Sequence, residues 1–416
     1  MDDFFTDAEL AQLREHRIVL FAGRVIFDAG PPITPEQLAA VEAACIGPVP
    51  PQLLALWEKT CGGALDYDLS LRMNGGEEPI HWAELFGHGP EGFHDLPGWI
   101  AHERQAAATG TDTQGQSWSA KLAALPFGGF EDSDRLSIVT EPGAQFGHVL
   151  AWKQGLPEAW PHAMHEDGLA TVAAELEGAF AALHLAEDPL EPAGDYFTGQ
   201  ALLDYLDERH GDHGMDLDLA DKVVAYYRRA LVDWRKPLTE GRLLEVSPLA
   251  AQIAQRHAIA ADDPALVNEL AAAGVRFDAP LHGSALPTDL ALAHGAFAAA
   301  TALVEGDAPF SSHALDDIEG AVSPELTQEL LARGAVPSAR AIAQCVAAGA
   351  PDAARLIAQA YHERNGDLPQ AFEAARASLL EQLQAALAEA SSAGLGHDTG
   401  AEALAERIQH LQSFRL

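Results

Sequence analysis

The chain has 416 residues, with 62 Asp and Glu against 25 Lys and Arg, giving a formal net charge of −37. Phosphate backbones are bound by Lys and Arg that displace counterions, so this balance excludes a general nucleic-acid binder and a protein held on anionic lipid. At 48% hydrophobic residues the sequence is too apolar for a disordered chain, and its length fits roughly two or three domains.

In chain order, the start Met1-Asp2-Asp3-Phe4-Phe5 lacks the basic and apolar regions of a signal peptide. No uninterrupted apolar run of about 18 residues occurs, so a cytoplasmic protein with no membrane contact is expected. Residues 7–16 read as a short helix, and His16–Asp28, rich in Val, Ile and Phe with one Gly, as a strand with a bend. Thr34-Pro35-Glu36-Gln37 opens the next helix, with Thr34 as N-cap, Pro35 in the first turn and Gln37 at capping-box spacing. It runs to about Ala44. Gly47–Pro51 breaks it, a helix over Gln52–Cys61 follows, and Gly62-Gly63 stops that one by permitting a positive φ.

From Asp66 to Trp152 the pattern becomes strands and turns. Tyr67, Leu69, Leu71 and Met73 alternate along one face. Residues 135–140 and 147–153 form further strand candidates, with the Glu141-Pro142-Gly143 turn between them predicting a hairpin. Residues 167–185 return to helix, 186–195 read as a linker, and 198–209 and 217–234 as amphipathic helices. From about residue 256 helix pairs recur. Their closing glycines Gly274, Gly306, Gly334 and Gly366 stand 32, 28 and 32 residues apart, which is a solenoid period. Residues 368–414 read as two more helices with Ser391–Gly400 as their loop. Charge does not divide the chain: residues 1–190 carry −20 and residues 191–416 carry −17.

Candidate chemistry is sparse. Cys45, Cys61 and Cys345 form no Cys-x-x-Cys pair and, being few and odd in number, no disulfide framework. Gly87-His88-Gly89-Pro90-Glu91-Gly92 fits the dinucleotide string, but Pro90 and Pro97 leave no clean helix start after it, so it reads as a loop. His162-x-x-His165 with Glu166 and Asp167, and His210-x-x-His213 with Asp212, are the densest histidine clusters, but zinc needs its ligands at a fixed geometry, and with no His-Glu-x-x-His string and no cysteine pair to support either cluster both read as ordinary loop histidines. Asp66-x-Asp68, Glu131-Asp132-x-Asp134 and Asp216-x-Asp218 are fragments of calcium loops without the distal Glu. Six of the seven tryptophans fall before residue 161; Trp57 and Trp152 suit a core, whereas Trp99, Trp118 and Trp160 lie in loop-like stretches where aromatics can be interface anchors. No catalytic group, cofactor or metal is expected.

Ile33-Thr34-Pro35-Glu36, Val41-Glu42, Val49–Gly63, Leu125–Val139 and Phe146–Gly155, in that order, make residues 30–185 resemble the SUKH superfamily of immunity proteins and cell-wall synthesis regulators. Val49 stands where that pattern has Leu, and Cys61 where Asn is common. Leu286–Ala308, with Pro287, Leu290, Ala291 and His294-Gly295, resembles a degenerate ankyrin repeat; the other repeats lack its Thr-Pro signature, and an irregular α-solenoid is the alternative. The expected fold class is α+β: a SUKH-like sheet flanked by helices, then an all-α, ankyrin-like helix-pair region. The expected boundaries are 1–29 (extension), 30–185 (SUKH-like domain), 186–197 (linker), 198–255 (helical connector), 256–366 (repeats) and 367–416 (C-terminal helices). What the SUKH resemblance implies is immunity: non-catalytic binding and occlusion of a cognate toxin. The acidic charge would steer a basic partner such as a nuclease, with carboxylates standing in for substrate phosphates. Asp66, Asp68, Glu131, Asp132, Asp134, Trp99 and Trp118 are the expected contact residues. A protein-binding scaffold without a toxin partner is the alternative.

Overall fold

The computed structural model describes residues 4–73, 76–89, 95–109, 121–130, 134–153, 169–192, 197–281, 285–365, 368–392 and 399–415. The chain divides into two units, Met1–Val232 and Asp233–Leu416.

The first unit opens with α1 (Asp7–Glu15), whose N-cap Thr6 and Glu9 form a capping box. The stretch expected to be one bent strand is instead a hairpin, β1 (Val19–Phe21) and β2 (Arg24–Ile26). Ala22 and Gly23 between them both have positive φ, 46° and 79°. That is the two-residue turn whose twist matches paired strands, so one glycine beside an alanine turns the chain rather than bending it. Next come α2 (Pro35–Ala44), with the expected Thr34–Gln37 capping box, and α3 (Pro51–Trp57), which stops four residues short of Cys61. Then follow β3 (Gly63–Ala64), the hairpin β4 (Ser70–Met73) with β5 (Gly76–Pro79), and β6 (Glu84–Leu85). The expected alternation is partly met, since Tyr67, Leu69 and Met73 are buried while Leu71 is half-buried.

A helix that the sequence pattern did not suggest, α4 (Leu96–Thr109), comes next. It precedes β7 (Ala124–Phe130), β8 (Asp134–Val139), β9 (Val149–Lys153), β10 (Leu169–Ala173) and α5 (Leu176–Ala182). The helix expected over 167–185 is thus a strand followed by a seven-residue helix. The six-stranded sheet runs β10-β9-β8-β7-β6-β3, with antiparallel pairing throughout. All six residues of β8 are buried, because helices or loops cover both faces of this central strand.

Two helices close the unit, α6 (Gln200–His213) and α7 (Leu217–Tyr227). The core of the unit runs across the expected boundaries at 29/30, 185/186 and 197/198. One continuous core takes in Phe5 and Leu13 from the N-terminus, Leu53, Trp82 and Leu136 from the middle, and Leu202, Tyr205 and Tyr227 from the last two helices. Tyr205 packs tilted against Phe27 and Tyr227 against Tyr67, with ring centroids 5.3 and 4.6 Å apart. The start of the expected linker is tied in as well: the Ala186 N–H donates to the Asp68 carboxylate at 2.9 Å.

The second unit is all helix: α8 (Arg235–Thr239), α9 (Leu243–Val246), α10 (Pro248–Ala260), α11 (Pro264–Ala272), α12 (Pro287–Ala293), α13 (Phe297–Glu305), α14 (Pro324–Ala332), α15 (Ala339–Ala347), α16 (Pro351–Asn365), α17 (Leu368–Ser392) and α18 (Thr399–Ser413). Successive pairs stack: α10 against α11 and α12, α11 against α13, α14 against α16, α15 against α16 and α17, and α17 against α18. The Gly period marks most of these ends, with Gly274 at φ +85° and Gly334 at φ +114°. At the end of α13 the left-handed residue is Asp307, not Gly306, and Gly366 lies outside the described residues. The third pair is incomplete, because the chain between α13 and α14 forms turns, held by an Asp289 carboxylate that accepts the Ser311 N–H at 2.9 Å. No helix among the described residues is long and apolar enough to cross a membrane.

Candidate functional site

Of the expected contact residues, Asp66 and Asp68 are half-buried and hydrogen-bonded within the chain, and Asp134 and Trp99 are buried. Asp66 lies at the start of α6, whose N-cap Gly199 has no side chain to offer. One Asp66 carboxylate oxygen accepts the Ala201 N–H at 2.8 Å and the Leu202 N–H at 3.4 Å, doing the capping work instead. Asp68 accepts the Ala186 N–H at 2.9 Å and the Thr198 hydroxyl at 2.8 Å, and its backbone exchanges hydrogen bonds with His184. The Tyr227 hydroxyl donates to the Asp66 carbonyl. Both aspartates are braces that tie residues 184–186 and 198–202 to the segment between β3 and β4.

Burial pushes the Asp66 carboxyl up, against the pull of the Gly199, Leu202 and Ala201 N–H groups, and the neighbouring Asp68 charge adds to the rise. Asparagine keeps the acceptor and drops the poorly solvated charge. Asp66→Asn is therefore expected to change stability by less than about 0.5 kcal/mol, whereas Asp66→Ala loses the cap at about 1–2 kcal/mol. Denaturant titrations of the two variants read this, and equal losses would refute the capping role.

Asp134 and Trp99 are also interior, at 1% and 0% exposure. Asp134 accepts the His81 backbone N–H at 2.6 Å, and its carboxylate lies 3.4 Å from His81 Nδ1. The His81 ring is exposed, and its bond to Asp134 raises its pKa above 6.5, outweighing partial burial and the repulsion of Lys153. A histidine raised in the fold contributes stability that is complete below its unfolded value near 6.5 and is lost as pH rises through the folded value. An NMR titration should place His81 above 6.5, and Asp134→Asn should return it; an unmoved midpoint would contradict the pairing.

Trp99 sits on α4, not in a loop, stacked on Phe86 at 5.4 Å. The Arg135 guanidinium lies 4.5 Å from the Trp99 ring centroid and 4.4 Å from that of Trp152. Its Nε is 3.4 Å from a carboxylate oxygen of Glu103, one turn along α4 from Trp99. Glu131, Asp132 and Trp118 lie outside the described residues, as do Trp160, His162 and His165.

Little here suits group transfer. Burial pushes the Cys45 and Cys61 thiols up to about 11 and Cys345 up to about 12, far from a thiolate nucleophile. Among the described residues no three His, Cys, Asp or Glu side chains gather where they could hold a metal ion. His210 instead pairs with the Met215 carbonyl at 2.8 Å, and His213 lies 3.5 Å from Glu208. A helix does follow the Gly87–Gly92 string, contrary to expectation, although residues 90–92 lie outside the described residues. Its N-terminus is already occupied by a carboxylate, since Asp95 accepts the Gly98 N–H at 2.7 Å. An acid there repels the phosphate that such a site would have to hold.

What remains exposed is acidic and helical. Residues 1–232 carry 13 Lys and Arg against 38 Asp and Glu, so the first unit holds −25 of the total charge. Along α6 and α7 and the turn between them, Asp204, Asp207, Glu208, Asp212, Asp216, Asp218 and Asp221 are all exposed. These helices were legible as amphipathic, but their acidic faces were not singled out. The signal was available, because Asp204, Asp207 and Glu208 recur at i, i+3 and i+4 and so share a helix face. Family models, curated proteins and solved structures give no match to this chain.

Proposed function

We propose that the chain is a non-catalytic, immunity-type protein that binds a basic toxin, of which a nuclease is the leading kind, and blocks it by occlusion. The observation that carries this reading is the run of seven exposed carboxylates on α6, α7 and their turn, within a unit of net charge −25. Exposed charge of one sign speeds encounter with a partner of the other and makes it salt-dependent. The SUKH-like order of motifs over residues 30–185 supports the immunity assignment in particular. The thiols and the capped α4 N-terminus favour binding over chemistry.

Capture of partners from lysate of the source species, at low and high salt, tests the proposal. One dominant partner with a toxin-like C-terminal domain, released at high salt, is the expected result. A second reading, a scaffold, is favoured by one observation: the helix-pair stack of the second unit carries its own core and less charge, −12, and such stacks present a second binding surface. Several partners indifferent to salt would replace immunity with that reading.

A further inference from the structure

We propose that the groove between α6 and α7 is the docking site for a basic amphipathic helix of a protein partner. The inference rests on the acidic-surface binding proposed above and gives it a place and a chemistry.

The groove has a volume of about 440 Å³. Leu203 and Leu206 of α6 and Ala220 and Val224 of α7 supply its apolar floor. Its lips include Leu190 and Leu217, 53% and 54% exposed. A single exposed leucine is ordinary. Two of them bordering one apolar groove form a surface that gains by being covered.

The charge on the rim selects what covers it. Asp204, Asp207 and Asp221 line the groove, and among the described residues none of them has a hydrogen-bonding or ion-pairing partner within the chain. Among the described residues the one cation at the rim, Arg228, is committed to Asp188, with Nε 2.9 Å from the carboxylate. His210 is engaged with the Met215 carbonyl. An apolar floor between uncompensated carboxylates fits an occupant with leucine-like anchors flanked by Lys or Arg. Nucleic acid and anionic lipid have the wrong sign of charge. An α-helix presents anchors at i, i+3, i+4 and i+7 over about 10 Å and flanks them with its polar face, which matches a groove running between two helices.

The test uses the full-length protein and a fluorescein-labelled 18-residue peptide with Leu at i, i+3, i+4 and i+7 and Lys or Arg elsewhere, read by anisotropy. Two control peptides accompany it. One has the same composition with the leucines scattered around the helix; the other keeps the leucines and replaces Lys and Arg with Glu. Saturable binding of the first peptide, weakened about tenfold or more in each control and in the Leu190→Gln/Leu217→Gln variant, is the expected result. These leucines are exposed, and an unchanged circular-dichroism melt verifies that the variant folds. Equal binding by the scattered peptide, insensitivity to the leucine variant, or no saturable binding would overturn the groove. The two readings fail separately: if salt-sensitive capture of a basic partner survives the leucine variant but is lost in Asp204→Asn/Asp207→Asn/Asp221→Asn, the acidic surface stands and the groove does not, whereas capture indifferent to salt removes the acidic-surface reading itself.

Discussion

Replacing Arg135 with alanine is expected to destabilise the first unit by about 3–5 kcal/mol, the cost typical of removing one partner from a buried ion pair. The side chain starts on the central strand β8, where Arg135 sits directly opposite Trp152 of β9. It ends between the Trp99 and Trp152 rings, beside Glu103. Arginine and glutamate here are only 9% and 1% exposed. In water the guanidinium would be hydrated; in this slot two aromatic faces and a carboxylate replace that hydration, each face contributing on the order of 0.5–2 kcal/mol. Alanine removes these contacts, opens a cavity between the rings and takes a cation from beside a buried carboxylate.

A paired substitution separates charge from packing. Arg135→Met fills most of the slot but still takes the cation from Glu103, so it should remain costly. Arg135→Met combined with Glu103→Leu removes both charges and should recover most of the loss, because well-packed apolar residues replace buried ion pairs at little cost. Tryptophan fluorescence reads this unit well, since six of the seven tryptophans belong to it. A loss below about 1 kcal/mol in Arg135→Ala would show that the aromatic slot closes by itself.

The same cluster shows where sequence reasoning reaches its limit. Local signals were readable because their chemistry is local: the Thr34–Gln37 capping box, the β8–β9 hairpin and the ends of α17 and α18 all appear as expected. Arg135 reads as the first residue of a strand, and Trp99, two residues after Pro97, as part of a loop. Their meeting depends on α4 lying against the sheet, a contact between distant segments that no spacing encodes. The aspartates follow the same rule. Asp66 and Asp68 look like a solvated turn until residues 184–186 and 201–202 place backbone N–H groups against them. The core likewise runs across the expected 186–197 linker, because Tyr205 and Tyr227 bring α6 and α7 back onto Phe27 and Tyr67. The helix repeats were the most legible part, since each pair contacts chiefly its neighbours and therefore writes its period into the chain.

Substituting Gly62 with alanine is the second large effect expected, about 2–6 kcal/mol. Tandem glycines after a helix suggest a simple stop, but α3 has already ended at Trp57, and Gly62 does something else. Its φ is +103°, where a side chain costs about 1–3 kcal/mol of strain. A Cβ there would also lie 2.7 Å from the Gly87 Cα, and relieving such overpacking costs a further 1–3 kcal/mol or so. The Gly87 backbone is not free to retreat, because its carbonyl accepts the Leu96 N–H at 2.9 Å at the start of α4. Pushing Gly87 away therefore disturbs the helix that carries Trp99 and Glu103. Gly23 provides the control: its φ is +79°, but nothing lies within 4 Å of the Cβ it would gain. Gly23→Ala should cost only the conformational part, about 1–2 kcal/mol. If the two alanine variants lose equal stability in denaturant titration, the close approach of the Gly62 and Gly87 backbones carries no energetic weight and only the sign of φ matters. If Gly62→Ala loses clearly more and also shifts the tryptophan emission of the native state, the strain has travelled through Gly87 into α4, linking a glycine beside the hairpin to the aromatic slot around Arg135.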